Sequence, residues 1–170
     1  KSYVKPDAQW AILHLQLNTE DDGLSLARAI ENNHGVAAVI DVSFSPKELY
    51  GTAAWIIQDE LTGSELTGQM IIPGQPKDLD AYRCELGGLY GITVIIDILC
   101  VYHSIKSGSI SKACDGDMAL KHATNKFDWI SPARPHFDLF AAIWSMNART
   151  PLKWDSKEIK GHQDDYATAQ

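Results

Sequence analysis

Cysteine is scarce in this sequence and unpatterned where it occurs. Cys84, Cys100 and Cys114 are odd in number and show no CxxC spacing, which argues against a zinc ribbon and a disulfide framework. Three reduced thiols are the simple reading, and they point to an intracellular setting, cytoplasm or nucleus. No uninterrupted apolar run approaches ~18 residues, so no membrane span is expected. No basic-then-apolar leader opens the chain either. Positive charge is also short: 15 lysines and arginines against 22 acids leave a net charge of −7. That balance argues against non-specific coating of nucleic acid, which wants a basic surface, but not against a nucleic-acid enzyme whose acids hold metal ions. Internal repeats and low-complexity stretches are missing as well. What remains is ordinary for a globular protein: 170 residues, 45% hydrophobic and 22% charged. That length suits one domain, or one domain with an appended segment. The first residue is Lys1 rather than Met, as expected of a fragment cut from a longer polypeptide.

The pattern changes along the chain. Residues 9–17 (QWAILHLQL) alternate loosely, as a strand does, and Asp21-Asp22-Gly23 opens a short apolar-periodic helix that His34-Gly35 closes. This leader, 1–35, reads as separable from the rest of the chain. Residues 36–44 (VAAVIDVSF) are almost continuously apolar, as in a central strand buried on both faces. Strands over 52–60 and 65–72 come next after short turns, forming an antiparallel meander. Residues 79–106 read as one long helix, apolar nearly all round and therefore buried, with Asp78 or Asp80 as its cap. Gly87, Gly88 and Gly91 weaken it by ~1 kcal/mol each relative to alanine, a cost consistent with close approach to a sheet. A fourth strand over 109–114, a short helix over 117–123, a loop over 124–135, a helix over 136–147 and a fifth strand over 152–160 complete the order.

Three acids fall where acids are expensive. Asp41 lies inside the first apolar strand, where an unpaired carboxylate needs hydrogen bonds or a cation; a strand-end aspartate satisfied by backbone donors is the plainer alternative. Glu85 lies in the first turns of the long helix. At ~100° per residue it points away from both Arg83 and Asp97, and Gly88, one turn on, opens space beside it. A solvated glutamate favoured by the helix dipole would look the same. Asp115 ends the fourth strand just before a helix, which is also where an N-cap belongs, with Asp117 competing for that role. If the fourth strand pairs beside the first, the three acids converge. Converging carboxylates repel unless cations sit among them, and hard oxygen ligands suit Mg²⁺ or Mn²⁺. Two such ions ~3.5–4 Å apart make a phosphodiester-cleaving site. His14, His34, His103, His122 and His136 have no ligand spacing among themselves. His162 differs, sitting in KGHQDD at a strand end, where a proton-handling or product-release role fits.

These segments resemble a known family. IDVSF with Asp41, AYRCELGGL with Glu85, ISKACDGDMAL with Asp115 and IKGHQDD with His162, in this order, are similar to the type 1 RNase H domain, most of all to those fused to reverse transcriptases of non-viral retroelements. The resemblance covers residues 36–165. It implies an α/β fold with a five-stranded mixed sheet of order 3-2-1-4-5 and helices on both faces. It further implies that Asp41, Glu85 and Asp115 are metal-binding catalytic carboxylates for Mg²⁺, with Mn²⁺ as substitute, and that His162 is a flexible-loop histidine. The implied activity is hydrolysis of the RNA strand of RNA–DNA hybrids, recognised by minor-groove shape and 2′-hydroxyl contacts. Ser43 and Ser45 are candidate contacts, and a reverse transcriptase domain is the implied partner in the same polypeptide. Residues 1–35 would then be the tail of a connection-like region and 36–170 the RNase H-like domain. Two departures stand out. Val42 replaces the usual small residue after the first aspartate, which would crowd the site. The family's fourth carboxylate falls beyond residue 170, so the domain reads as truncated, unless Asp164 or Asp165 substitutes. A catalytically inactive module of the same fold, bracing or binding nucleic acid, is the rival expectation, and a DNA-cutting integrase-like relative is a third.

Overall fold

The computed structural model describes residues 16–18, 21–124 and 132–158. Six strands form one sheet: β1 (Gln16–Asn18), β2 (Ala37–Ser45), β3 (Tyr50–Gln58), β4 (Glu65–Ile71), β5 (Ser109–Cys114) and β6 (Lys153–Glu158). Their spatial order is β1-β4-β3-β2-β5-β6. Strands β2, β3 and β4 form the antiparallel meander, while β5 lies parallel to β2 and β6 parallel to β5. Strands β2 to β6 therefore take the expected RNase H-like order 3-2-1-4-5. The sheet gains a sixth strand because β1 adds antiparallel to β4, pairing Gln16 with Gln69 and Asn18 with Thr67.

The helices are α1 (Leu24–Glu31), α2 (Ala81–Tyr102), α3 (Asp117–Thr124) and α4 (Phe137–Arg149). Helix α2 begins where the Asp80 carboxylate accepts from the Arg83 backbone N–H at 2.6 Å, satisfying a donor that the helix itself cannot. At 22 residues it is long and apolar enough to cross a membrane, yet here it is the core helix, buried nearly all round. Its glycines explain how. A Cβ on Gly88 would come 2.8 Å from Ile40 and 3.0 Å from Val42, and one on Gly87 would come 2.9 Å from Ile72. One on Gly91 would strike the Met70 sulfur. The helix lies directly on β2, β3 and β4 because these positions lack side chains.

The burial of β2 corrects one expectation. Ala38 and Ile40 are buried, Ala37 and Val39 are partly so, and Asp41 and Ser43 are exposed. The strand is covered on the α2 side, and its other side is largely open among the described residues. The leader also behaves differently from the separable segment expected. Helix α1 presents Leu26, Ala27, Ala29 and Ile30 to the same core as α2 and the sheet, because its apolar positions recur on one face. It starts at Gly23 (φ 78°), packed against Leu99 of α2, and Asp21 accepts from the Ser25 N–H at 2.8 Å.

Candidate active site

The site lies where β2 and β5 cease to pair. Their parallel register runs Ala37↔Ser111, Ala38↔Lys112 and Val39↔Ala113, and ends there. Carried two steps further, it sets Asp41 level with Asp115, which comes just after the last residue of β5. Alternation along β2 puts Ile40 and Val42 towards α2, as their approach to Gly88 shows, and Asp41 on the opposite side. Val42 therefore fills the space between the sheet and Gly88 and does not crowd the Asp41 carboxylate. By the same token Gly88 serves sheet packing rather than opening room beside Glu85. Asp41 is exposed rather than buried, so its charge carries no burial cost of its own.

Glu85 is half-buried on the first turns of α2, and its carboxyl is held above the usual range, first by burial and then by the negative charge of Asp115. The solvated-glutamate alternative does not describe such a group. Its position beside the β5–α3 turn is tight: a Cβ placed on Gly116 would fall on the Glu85 carboxylate, closest to Oε2, with Oε1 3.2 Å away. The Leu120 N–H bonds the Gly116 carbonyl at 2.9 Å. Gly116 thus occupies the N-cap place of α3, and Asp115 stands one residue outside the helix, exposed. The negative charge of Asp115 acts on Glu85. Asp41 is level with them in register but is not one of the charges acting on Glu85. Among the described residues, no group of three or more histidine, cysteine, aspartate or glutamate side chains converges closely enough to hold a metal ion. His162, Asp164 and Asp165 lie outside the described residues, as does His14.

The remaining histidines have local partners. His34 pairs with the buried Asp59 at 3.4 Å, and His103 meets the Asp22 carbonyl at 2.8 Å. His122 Nδ1 lies 2.5 Å from the Tyr82 hydroxyl. His136 bridges Asp80 (3.2 Å) and Arg83 (3.4 Å). Arg83 is buried in the first turn of α2, donates to both Asp138 oxygens at 3.1 and 2.9 Å and to the Pro73 carbonyl at 2.9 Å, and so ties α4 to the helix that carries Glu85. Sequence reasoning passed over this anchor, because its acid partner lies 55 residues away.

It also passed over Lys112, which is 2% exposed on β5, three residues before Asp115. Its Nζ donates to Thr93 Oγ1 of α2 at 2.6 Å and to Asn147 Oδ1 of α4 at 3.1 Å, and lies 3.8 Å from the centre of the Trp154 ring. A hydroxyl, an amide oxygen and an indole face surround the ammonium, and among the described residues no carboxylate pairs with it. Burial pushes this lysine down to about 7.

Glu85 and Asp115 offer oxygen donors of the hard kind that Mg²⁺ or Mn²⁺ takes, but among the described residues they are two carboxylates and not a closed set of three. No family model and no curated protein matches the sequence. Among solved structures, the chain is similar to the N-terminal RNase H domain of a Mycobacterium tuberculosis protein determined as a fusion with maltose-binding protein, with TM-score 0.45, 10% identity, and coverage of 78% of this chain and 88% of that one. It is also similar to RNase H1 from the halophilic archaeon Halobacterium salinarum NRC-1, with TM-score 0.49, 11% identity, and coverage of 76% and 89%.

Proposed function

We propose that this chain is a metal-dependent endonuclease that hydrolyses the RNA strand of RNA–DNA hybrids, and that it belongs to the reverse transcriptase polyprotein of a retroelement. One observation carries the reading: the carboxylate of Glu85 from α2 lies against Gly116, next to Asp115 at the end of β5, at the gap between β5 and β2 and level with Asp41. Burial and the neighbouring charge of Asp115 hold the Glu85 carboxyl above its usual range, as expected of a carboxylate placed to meet a cation. By the family resemblance Asp41, Glu85 and Asp115 would hold the ions, with Asp41 reaching them from the side of β2 opposite to α2. Bound there, divalent ions would offset the negative charge of the phosphate and make an attacking water more acidic. The protein's own part is to hold the three carboxylates in place and to leave the outer side of β2, with Ser43 exposed beside Asp41, open to a hybrid. His162 would assist turnover from outside this set. The four ordered motifs that resemble the retroelement RNase H type support the polyprotein setting, an intracellular location and a neighbouring reverse transcriptase domain.

The test is direct. The chain is incubated with an RNA–DNA hybrid in Mg²⁺ and in Mn²⁺, alongside Asp115→Asn. Cleavage confined to the RNA strand, leaving 3′-hydroxyl and 5′-phosphate ends and lost in the variant, is the expected result. The rival reading, a non-catalytic module that braces nucleic acid, draws on the exposure of Asp41 and on the net charge of −7. It would be favoured by absence of both cleavage and saturable Mn²⁺ binding.

A further inference from the structure

Glycine at position 116 is not required by the backbone. The glycines with positive φ are Gly23, Gly35, Gly63, Gly74 and Gly108, and Gly116 is not among them. Any side chain could adopt its conformation. The space that a side chain would need, however, is taken by the Glu85 carboxylate. No other group comes among the three nearest heavy atoms to that missing Cβ; all three belong to Glu85. The nearest obstruction is therefore the far end of one flexible side chain.

From this we infer that Gly116 is a positioning residue for the carboxylate site: its missing side chain is the seat of Glu85, and it sets the approach of Glu85 to Asp115. The inference rests on the proposed metal site and sharpens it. A side chain at 116 would leave the fold intact, because Glu85 can rotate about its own bonds to avoid it. The rotation moves the carboxylate away from Asp115 and out of the site. A packing glycine behaves in the opposite way: at Gly91 the obstruction is the Met70 sulfur and the Trp55 ring, both in the core, and a side chain there damages stability. Gly116 thus separates site geometry from stability.

The experiment compares the parent chain with Gly116→Ala, Glu85→Asp and the double variant. Melting temperature without metal, Mn²⁺ affinity by calorimetric titration and hybrid cleavage are measured for each. In addition, the ¹³C resonance of the Glu85 carboxyl, assigned by its loss in Glu85→Gln, is tracked at high pH, where the group is fully ionised. Gly116→Ala is expected to melt at the parent temperature, to shift the Glu85 resonance, and to lose about 10²-fold in cleavage, the scale of an ångström-sized misplacement. Mn²⁺ affinity should fall with it. Glu85→Asp, one methylene shorter, should impair the parent but improve the Gly116→Ala chain, since its carboxyl sits back from the added methyl. An unmoved Glu85 resonance overturns the inference whether or not the protein binds metal. So does a Gly116→Ala chain that binds and cleaves like the parent, or one whose losses track a lowered melting temperature without rescue. A parent chain with neither Mn²⁺ binding nor cleavage overturns the proposed function instead, and the resonance then still decides whether Gly116 seats Glu85.

Discussion

Asp41 and Glu85 carry the same charge in different settings, and substitution should separate them. Asp41 is exposed on the outer side of β2, so neutralising it relieves little. Asp41→Asn is expected to abolish hybrid cleavage while changing the metal-free melting temperature hardly at all. A variant that still cuts at the parent rate would remove Asp41 from the site. Burial first, and then the charge of Asp115, raises the carboxyl of the half-buried Glu85. A carboxyl whose folded pKa is raised opposes folding when ionised, so stability recovers as pH falls through the raised value. Glu85→Gln should therefore raise the melting temperature at neutral pH without metal, and flatten its rise towards acid. Melting curves of both chains across the acid range, with a chelator present, check this. Asp41, Glu85 and Asp115 were legible as acids in unusual places. Their exposures were not, because a run such as VAAVIDVSF reads as buried on both sides whether or not anything covers the second side. Gly116 was equally silent, since Asp-Gly-Asp reads as an ordinary lead-in to a helix, and only the position of Glu85 gives the glycine a role.

At the scale of elements, the boundaries of β5 were readable from a glycine before Ser109, and the cap of α2 was narrowed to Asp78 or Asp80, of which Asp80 is the one that caps. The same holds for the glycines of α2, whose closeness to β2, β3 and β4 is the return for their low helix propensity. Gly91→Ala should lower stability by on the order of 1–3 kcal/mol through overpacking against Met70 and Trp55, as a denaturant midpoint would show. Lys112 was unreadable, because a lysine in SISKAC looks like the outward residue of a strand, and only the helices α2 and α4, distant in sequence, make it an inner one. Burial lowers its pKa from 10.5 to about 7. Between those two values the unfolded chain holds a proton that the folded chain has released, so stability rises with pH across that window. Replacing the buried cation by an apolar side chain of similar length removes the penalty. Lys112→Met should thus stabilise the protein by about 1–4 kcal/mol near and below pH 7, and lose the upward slope between about pH 7 and 10.5. Melting temperatures of the two chains from pH 6 to 10 test both points. A destabilised variant would show that the bonds to Thr93 and Asn147 outweigh the desolvation of the charge.

The order of β2 to β6 was implied by the family resemblance, and the succession of strands and helices allowed it, because a meander succeeded by a long helix and two further strands leaves few ways to close a sheet. What that reasoning left outside was the leader. A helix of eight residues after a loosely alternating segment looks detachable in the sequence, yet α1 sends Leu26 and Ile30, at 1% and 0% exposure, into the common core. Ile30 also meets the backbone at Gly108, where φ is 152° and the chain turns into β5. The far end of that strand leads into Asp115. Removing residues 1–35 would uncover the C-terminal half of α2 at Leu99, the contact at Gly108 and the edge of β4. The loss of two fully buried aliphatic side chains alone is worth about 1.5–3 kcal/mol each. A chain of residues 36–170 is therefore expected to be less stable than the 170-residue chain by several kcal/mol, and to show early hydrogen exchange in β5 relative to β3. Equal denaturant midpoints and equal exchange for the two chains would mean that the leader only rests on the domain. A selective loss in β5 would tie the leader to the strand that delivers Asp115 to the site.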